Sequence, residues 1–392
     1  MRILFLSQRV PFPPDRGDKI TTFRLVERLA RRHEVRVLGF AQDAADVEAA
    51  AELTRRGIDT QAVPLRHKLV RHGLSVLALF DDRPLTLVHY GSTAMQRAVD
   101  EVATWAECAY AYSSSMGAFL EPHALPRVMH MAELDSDKWL QYSRRAKGPM
   151  AWIYRREART LLEYEIQLAR GSEQNVFCTP LEERLFKDRI PGAHSAVLRN
   201  GVDLKQFQPK PGSSEPGHLV FTGVMDYLPN VDGCLWFADE VFPRVRERHP
   251  VARFSIVGSN PTPAIQKLAE RPGIAVTGRV PDTADWLARG AVSVAPLRIA
   301  RGIQNKVLEA MAMGLPVVGT TSATQGVEGT PGEHYLVADD SEAQFRAIDS
   351  LLVNRARAAE LGRAGRAFVE AHYDWERVLE SLDVIVDGLL AD

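Results

Sequence analysis

The sequence predicts an α/β protein built from two doubly wound domains. Its 392 residues suffice for two hydrophobic cores, because single domains usually run to roughly 100–200 residues. Short β-rich apolar runs alternate with longer helical patterns, and this alternation favours parallel strands with helices on both faces of each sheet. A turn-rich stretch at 200–217 interrupts the alternation and marks the boundary between the domains.

Both halves of the chain repeat this alternation. In the N-terminal half the predicted strands lie at 3–7, 35–40, 58–63, 108–112, 127–131 and 175–178. In the C-terminal half they lie at 218–222, 252–257, 274–277, 291–295 and 316–319. Helical patterns include 20–32, 44–56 and 150–169, and the closing helices 341–372 and 375–390 have no strand after them. The predicted domains are 1–200 and 201–374, with a final helix, 375–392, that packs back toward the N-terminal domain.

Composition argues against several classes of protein. The net charge is only −2, whereas nucleic-acid-binding proteins usually show a much larger basic excess. Cys108, Cys178 and Cys234 are far apart and lack a CxxC spacing, which argues against a disulfide framework or a zinc site. No apolar run approaches the roughly 18 residues that a membrane-spanning helix needs. We therefore expect a cytoplasmic protein that binds no nucleic acid.

Two segments have the composition of a membrane-facing surface. Segment 143–159 places six arginines and lysines around an apolar and aromatic group that includes Met150 and Trp152, and segment 66–80 has three basic residues before an apolar run. Basic residues beside aromatic side chains suit an anionic interface. The alternative is a solvated helix with one buried face. On the first interpretation, the protein contacts the inner face of the cytoplasmic membrane.

The segment 298–319 carries the most chemical information. It follows a predicted buried strand, passes through a loop with Arg301 and Gly302, and enters a helix at Asn305 and Lys306. Open α/β sheets bind ligands at the carboxyl ends of their strands, and a helix N-terminus offers unpaired N–H groups and a positive dipole end to phosphate. Arg301 and Lys306 add full positive charges at the same place. The segment therefore predicts a diphosphate site.

Glu309 follows Lys306 by three residues and so lies on the same helix face. Its carboxylate is a suitable acceptor for the vicinal hydroxyls of a ribose. A simpler interpretation of the spacing stays open: Arg301 and Lys306 form a solvated helix start, and Glu309 pairs with a neighbour.

The letters KVLEAMAMGLPVV at 306–318 resemble the donor-site signature of the family 4 retaining glycosyltransferases. In that signature the glutamate, here Glu309, holds the ribose of the nucleotide. The resemblance implies the GT-B fold, in which two Rossmann-like, doubly wound domains face a cleft and the C-terminal domain holds a nucleotide-sugar donor.

Other segments extend the resemblance over nearly the whole chain. The letters NGVD at 200–203 are similar to the element at that family's domain junction. Segments 135–139, 225–232 and 373–375 resemble the bacterial subgroup associated with exosortase and exopolysaccharide systems.

The resemblance also assigns substrate contacts. Three glycine turns of the C-terminal half resemble those that line the donor pocket, where a missing side chain lets backbone approach a ligand. Gly17 resembles the glycine that admits the sugar and the acceptor. The predicted substrate-binding residues are Gly17, Asp135, Gly223, Gly258, Gly278, Arg279, Gly302 and Asn305. The predicted catalytic residues are Arg301, Lys306 and Glu309.

The sequence departs from the family pattern at two places. Many members have a glutamate eight residues before the ribose-binding one, and that position is Arg301 here. An Arg…Lys pair usually follows the first glycine of the C-terminal domain, whereas Gly223 is followed by Val-Met-Asp. We therefore expect Arg301 and Lys306 to replace the missing cations at the diphosphate.

The contact from the N-terminal domain is left open among three residues. His130, Glu133 and Asp135 lie at a predicted strand end, where relatives often carry a histidine followed by an acid. His130 could equally point into the sheet. Asp135 is the favoured contact to the sugar or the acceptor.

No metal-binding constellation is visible, and the Asp-x-Asp at 135–137 is common by chance. The resemblance thus implies a metal-independent enzyme that needs no cofactor and uses a UDP- or GDP-sugar as donor. It would transfer a sugar, with retention, to a hydroxyl of a glycan or lipid-linked glycan in bacterial polysaccharide biosynthesis. Two alternatives are a nucleotide-sugar 2-epimerase and a catalytically silent nucleotide-sugar-binding subunit.

Overall fold

The computed structural model describes residues 1–67, 70, 73–74 and 78–390. The chain divides into two compact units. The N-terminal unit comprises Met1–Arg199 and Leu379–Asp392, and the C-terminal unit comprises Asn200–Val378. The predicted domain boundaries, 200/201 and 374/375, stay predictions.

The N-terminal unit contains a seven-stranded parallel sheet. Its strands are β1 (Arg2–Ser7), β2 (Glu34–Ala41), β3 (Asp59–Pro64), β4 (Cys108–Tyr112), β5 (Arg127–Ala132), β6 (Gln174–Phe177) and β7 (Ser195–Val197). They are arranged in the order β3-β2-β1-β4-β5-β6-β7. The order reverses direction between β1 and β4, and such a switch point is where open α/β sheets bind ligands.

Helices connect these strands. They are α1 (Gly17–Ala30), α2 (Ala44–Arg55), α3 (Leu85–Tyr90), α4 (Thr93–Ala103), α5 (Ser114–Gly117), α6 (Asp135–Arg145), α7 (Pro149–Arg170) and α8 (Pro180–Arg189). Short 3-10 turns lie at Ala78–Phe80 and Ala118–Leu120. Side chains of Asp43, Ser92 and Thr179 cap α2, α4 and α8 by accepting from backbone N–H groups of the first turn.

The C-terminal unit contains a six-stranded parallel sheet with the same kind of switch. Its strands are β8 (His218–Thr222), β9 (Arg253–Val257), β10 (Ile274–Val276), β11 (Val292–Ala295), β12 (Val317–Gly319) and β13 (Leu336–Val337). Their order is β10-β9-β8-β11-β12-β13. Here the direction reverses between β8 and β11, which places the ends of these two strands at the candidate binding edge.

The helices of this unit continue the numbering. They are α9 (Leu228–Trp236), α10 (Phe242–Arg248), α11 (Pro263–Leu268), α12 (Thr283–Arg289), α13 (Asn305–Ala312), α14 (Thr321–Thr324), α15 (Ser341–Val353), α16 (Arg355–His372) and α17 (Trp375–Asp387). A π-helical turn, Phe237–Val241, joins α9 to α10, and a 3-10 turn, Gly388–Leu390, follows α17.

Each sheet is buried on both faces, which explains its continuous apolar strands. Leu4 and Leu6 of β1 are fully buried in the core of the N-terminal unit, and Val220 and Phe221 of β8 are fully buried in the core of the C-terminal unit. The apolar runs in the sequence therefore predicted the central strands within one or two residues.

Four elements differ from the prediction. Helix α1 begins at Gly17 rather than at residue 20. The predicted helix 341–372 is two helices, because Asn354 interrupts it and caps α16 by accepting from the N–H of Arg357. The short edge strands β7 and β13 were not predicted.

The residues from Leu379 onward belong to the N-terminal unit and pair with its first helix, α1. Arg28 of α1 donates to the carboxylate of Asp383 at 2.7 Å, and Arg32 pairs with Asp387 at 2.9 Å. Burial acts to raise the pKa of Asp383, but hydrogen bonds from Arg28 and Arg32 outweigh it and hold the pKa below its usual value. Helix α17 thus begins in residues of one unit and ends in residues of the other.

Candidate functional site

Helix α13 starts at the candidate binding edge of the C-terminal sheet. It follows β11 through a loop at 296–304. Its N-cap residue, Gln304, makes no side-chain capping bond to the helix. The first N–H groups of a helix have no intrahelical acceptor and carry the positive end of the helix dipole. This helix start can therefore receive an anion.

The loop before α13 is fixed by side-chain amides. Gln304 Nε2 donates to the carbonyl of Arg301 at 2.8 Å, and Gln325 Nε2 donates to the carbonyl of Ala300 at 2.9 Å. Gly302 has φ +60, and its carbonyl oxygen would lie 2.1 Å from a Cβ added at Gly326. The half-buried Arg301 is thus carried on a loop of defined shape.

Asn305, the first residue of α13, contacts the segment that opens the C-terminal unit. Its Oδ1 accepts from Asn200 Nδ2 at 3.2 Å. Two residues after Asn200, Val202 forms a β-bridge with Asp374. A Cβ added at Gly201 would lie 2.6 Å from the ring of Trp375. The NGVD element therefore packs on 373–375 and reaches the helix start.

Lys306 is the second residue of α13, and its side chain contacts residues near the end of β8. Its Nζ donates to Asn230 Oδ1 at 2.8 Å and lies 5.1 Å from the centroid of the Phe221 ring. Burial lowers the pKa of Lys306 to about 8, and the neighbouring Cys234 and Glu309 only partly oppose this shift. The ammonium is consequently poorly solvated, which strengthens its interaction with an anion.

Glu309 is half-buried one turn after Lys306. Burial raises the pKa of Glu309 to about 7; Lys306 acts to lower it and Asp282 to raise it. A carboxyl and an ammonium group with perturbed pKa values on one helix face are typical of a functional site.

Gly223 and Gly258 contact each other at the ends of β8 and β9. Gly258 has φ +153, and a Cβ there would lie 1.6 Å from the carbonyl oxygen of Gly223. A Cβ at Gly223 would in turn lie 2.7 Å from Asn230 Nδ2 and 3.4 Å from Lys306 Cε. Both glycines are therefore required for close packing beside Lys306.

Gly278 and Arg279 lie in the turn after β10. Gly278 has φ +68, and a Cβ at this position would meet no atom within 4 Å. Arg279 is exposed. The space beside Gly278 is therefore open.

Strain and polar side chains mark the switch point of the N-terminal sheet. Ser113 follows β4 with φ 79, and Ala132 ends β5 with φ 62. Non-glycine residues rarely adopt a positive φ, and such residues concentrate at functional sites. Gln8, after β1, donates to Ser113 Oγ and Ser115 Oγ at 2.8 Å each. The ends of β1 and β4 are thus joined by one amide.

Glu133 and Asp135 share a lysine directly after β5. Lys138 Nζ donates to Glu133 Oε1 at 3.0 Å and also to Asp135 Oδ1. Ser114 Oγ donates to Asp135 Oδ2 at 3.3 Å. Glu165 accepts from the backbone N–H of the neighbouring Ser136. Burial and the charge of Asp135 raise the pKa of Glu165 to about 8. The structure therefore brings Glu133 and Asp135 together at the binding edge of this unit.

His130 faces the core rather than the strand ends. It is fully buried, and its Nδ1 lies 2.7 Å from Tyr110 Oη. Burial lowers the pKa of His130 to about 3, so the ring stays neutral. Of the three residues left open by the sequence, His130 is a core residue.

Gly17 is the exposed first residue of α1 rather than part of the preceding loop. Arg16, at the N-cap, and Arg9, after β1, both pair with Asp18, at 3.1 and 2.7 Å. The start of α1 therefore has two arginines beside it.

Helices α6 and α7 form a hairpin that contains the first basic and aromatic segment. Trp139, Tyr142 and Tyr154 contact one another, with ring centroids 5.3 to 6.1 Å apart. Met150 and Trp152, 45% and 53% exposed, lie near the tip of the hairpin. Seven of the fifteen residues of the second segment, 66–80, lie outside the described residues.

Sequence reasoning missed the residues that hold the charged groups. No role was assigned to Asn230, Gln304, Gln325 or Lys138, although Asn230 and Lys138 belong to segments that carried the resemblance. Amides and lysines are too common for their spacing to indicate such contacts, and the contacts of Asn230 and Gln325 join residues 76 and 25 positions apart.

Within the described part of the chain, no helix is long and apolar enough to cross a bilayer. In the same residues, no group of three or more His, Cys, Asp and Glu side chains is arranged to hold a metal ion. Metal independence remains a prediction.

The C-terminal unit matches a known sequence family. Residues 216–354 match the family described as glycosyl transferases group 1. A GDP-mannose-dependent monoacylated alpha-(1-6)-phosphatidylinositol monomannoside mannosyltransferase of Corynebacterium glutamicum is 28% identical over 231 residues, 52% of this chain and 59% of that protein. The chain thus spans less than two thirds of the length of this relative.

Solved structures match over the whole chain. Sucrose-phosphate synthase from Thermosynechococcus elongatus has a TM-score of 0.77 at 18% identity and covers 100% of this chain and 99% of its own. Anabaena HepE in complex with UDP-glucose has a TM-score of 0.71 at 14% identity, and the match covers 99% of this chain and 100% of HepE. The predicted GT-B fold, with two doubly wound α/β domains, is confirmed. Membership of family 4 and of the exosortase-associated subgroup remains a prediction.

Proposed function

We propose that the protein is a retaining glycosyltransferase that moves a sugar from a UDP- or GDP-sugar to a hydroxyl of a glycan or lipid-linked glycan. The observation that carries the proposal is the start of α13, where the half-buried Lys306 and the loop residue Arg301 accompany a helix N-terminus without a side-chain cap. Such an arrangement stabilises the negative charge of a diphosphate. The family match over 216–354 and the GDP-mannose-dependent relative support the same donor class.

The chemistry requires charge stabilisation rather than a protein nucleophile. The bond between the anomeric carbon and the diphosphate breaks, and the acceptor oxygen bonds to that carbon on the same face. The acceptor proton passes to a phosphate oxygen of the leaving group. Arg301, Lys306 and the N–H groups at the start of α13 stabilise the developing diphosphate charge, so the proposal requires neither a metal nor a cofactor.

The remaining donor contacts follow from the same edge of the sheet. Glu309 accepts from the ribose hydroxyls in its ionised form. Gly223 and Gly258 present tightly packed backbone to the nucleotide, whereas Gly278 leaves open space beside it. Arg279, Gly302 and Asn305 complete the predicted contacts.

The N-terminal unit supplies the acceptor site in this proposal. Asp135 and Glu133, held by Lys138, are suitable hydrogen-bond acceptors for sugar hydroxyls. Gly17 at the start of α1 leaves room for an approaching acceptor. The strained backbone at Ser113 and Ala132 supports a functional role for this edge.

A donor screen tests the function. We expect UDP- or GDP-sugars to raise the melting temperature, because a ligand that binds only the native state stabilises it by about 2.7 kcal/mol at 100 times its Kd. ADP-sugars serve as a comparison. The best donor is then incubated with and without glycan acceptors, and the products are identified by mass spectrometry and NMR.

Each alternative has its own outcome in the same experiment. Retention of the anomeric configuration in a glycoside product supports the proposal. Conversion of UDP-GlcNAc to its C2 epimer in the absence of an acceptor indicates a 2-epimerase. Binding without transfer or donor hydrolysis indicates a silent subunit, and no stabilisation by any nucleotide-sugar contradicts all three.

We also infer that the α6–α7 hairpin contacts an anionic membrane surface, which would place the enzyme at a lipid-linked acceptor. Exposed Arg144, Lys147 and Arg155 lie beside the exposed Met150 and Trp152. Basic and aromatic side chains together favour the headgroup region of anionic lipid. Arg159 pairs with Asp82 and Glu163 and is left out of this surface.

Vesicle co-sedimentation tests the membrane contact. The protein should sediment with phosphatidylcholine vesicles containing phosphatidylglycerol, and less at high salt because surface charges are screened. Changing Arg144, Lys147 and Arg155 to glutamine should abolish sedimentation. The matched control changes three exposed cations of the C-terminal unit to glutamine: Lys205, Lys267 and Arg355. Equal binding by both triple variants would contradict the inference.

A further inference from the structure

Asn230 connects the end of β8 with the start of α13. Its side chain is 3% exposed. Its Nδ2 donates to the carbonyl of Val224 at 2.8 Å, and its Oδ1 accepts from Lys306 Nζ at 2.8 Å. The two bonds define the orientation of the amide, because only the oxygen can accept from the ammonium group.

Three neighbours of Lys306 on the Asn230 side are neutral, whereas the charged neighbour, Glu309, lies one turn along α13. Phe221 presents its ring to the ammonium at 5.1 Å. Cys234 is buried, and burial raises the pKa of its thiol well above its usual value, so the thiol stays protonated. Gly223 contributes no side chain, which leaves room for the Asn230 amide.

We propose that Asn230 is a positioning residue for the donor diphosphate, because its neutral amide oxygen fixes the Lys306 ammonium without cancelling the positive charge. This inference rests on the proposed function. A carboxylate at the same place would form a buried ion pair with Lys306, and that pair would reduce the attraction of the ammonium for an anionic ligand. An amide binds the ammonium through a dipole and leaves the net charge of the pair at plus one.

The substitution Asn230→Asp tests this effect, because aspartate has nearly the same shape and adds a negative charge. It also loses the donor to the Val224 carbonyl, so Asn230→Ala, which loses the same bond without adding a charge, is the comparison. We expect Asn230→Asp to weaken the binding of UDP or GDP by about 10- to 100-fold, in line with the strength of charge-assisted contacts to phosphate. Asn230→Ala leaves the charge of Lys306 unchanged but removes its anchor, and it should weaken binding less. In steady-state kinetics, Asn230→Asp should raise the donor KM and leave the acceptor KM unchanged.

The matched control is Asn354→Asp, which adds the same charge to the C-terminal unit at an exposed helix N-cap. Aspartate caps a helix as well as asparagine does, so this variant should bind the nucleotides as the wild type does. Melting temperatures of all variants show whether they are folded.

Isothermal titration of the full chain with UDP, GDP and inorganic pyrophosphate gives the decisive measurement. A selective loss of affinity in Asn230→Asp supports the inference. Affinity within twofold of the wild type, or an equal loss in Asn354→Asp, overturns it. A wild type that binds pyrophosphate but neither nucleotide contradicts the proposed function, and the pyrophosphate affinities of the variants then test Asn230 separately. Binding of none of the three overturns both.

Discussion

Replacing Lys306 with methionine is expected to lower kcat/KM for the nucleotide-sugar by about 100- to 1,000-fold, the usual effect of removing one group that stabilises transition-state charge. The ammonium lies in a poorly solvated position against Phe221 and Asn230, where its interaction with a developing negative charge is strong. Initial rates over a range of donor concentrations measure the effect.

Two controls separate charge from packing. Methionine retains the apolar stem of lysine. Loss of the hydrogen bond to Asn230 costs about 1 kcal/mol, and removal of the desolvated ammonium offsets part of that cost, so the free energy of unfolding should change by less than about 1 kcal/mol. Lys306→Arg retains the charge and should keep part of the activity. A Lys306→Met enzyme with a rate within threefold of the wild type would show that the diphosphate is bound elsewhere.

The substitution Gly258→Ala is expected to lower the free energy of unfolding by about 2–5 kcal/mol, because it adds overpacking to backbone strain. The new Cβ would lie 1.6 Å from the Gly223 carbonyl oxygen, and the residue has φ +153. The ends of β8 and β9 must then separate, which also displaces the Gly223 turn beside Lys306. Urea unfolding followed by circular dichroism measures the loss of stability, and nucleotide titration measures the loss of affinity.

Gly278→Ala is the matched control, since this glycine belongs to the same predicted donor-binding group. It has φ +68, but its added Cβ meets no atom within 4 Å. Only the backbone strain applies, which costs about 1 kcal/mol. Equal losses of stability in the two variants would show that the Gly223–Gly258 contact does not limit stability.

The central strands could be predicted from the sequence because they are buried on both faces and therefore read as continuous apolar runs. The edge strands β7 and β13 were not predicted from the sequence. They have only three and two residues, and strands of this length show little periodicity. Helix α1 was placed too late, since Gly17 and Asp18 are polar or small residues before the apolar pattern begins.

The proximity of the candidate donor residues Lys306 and Glu309 could be predicted from the sequence for a different reason. Lys306 and Glu309 lie on one helix, so their spacing alone places them on one face. Asn230 meets Lys306 from a position 76 residues away in the chain, and such a contact has no local signal. Lys138 is an intermediate case. Its spacing from Asp135 was visible in the sequence, whereas its second bond, to Glu133, depends on the turn at Ala132, whose φ is 62.

The division of α17 between the two units affects how the protein is made. Asp383 and Asp387 supply partners for Arg28 and Arg32, and Leu382 is fully buried. Domains usually fold in order as the ribosome releases them, with the N-terminal one first. Here the N-terminal unit receives its last helix only after the C-terminal unit has been synthesised, so it stays incomplete until then.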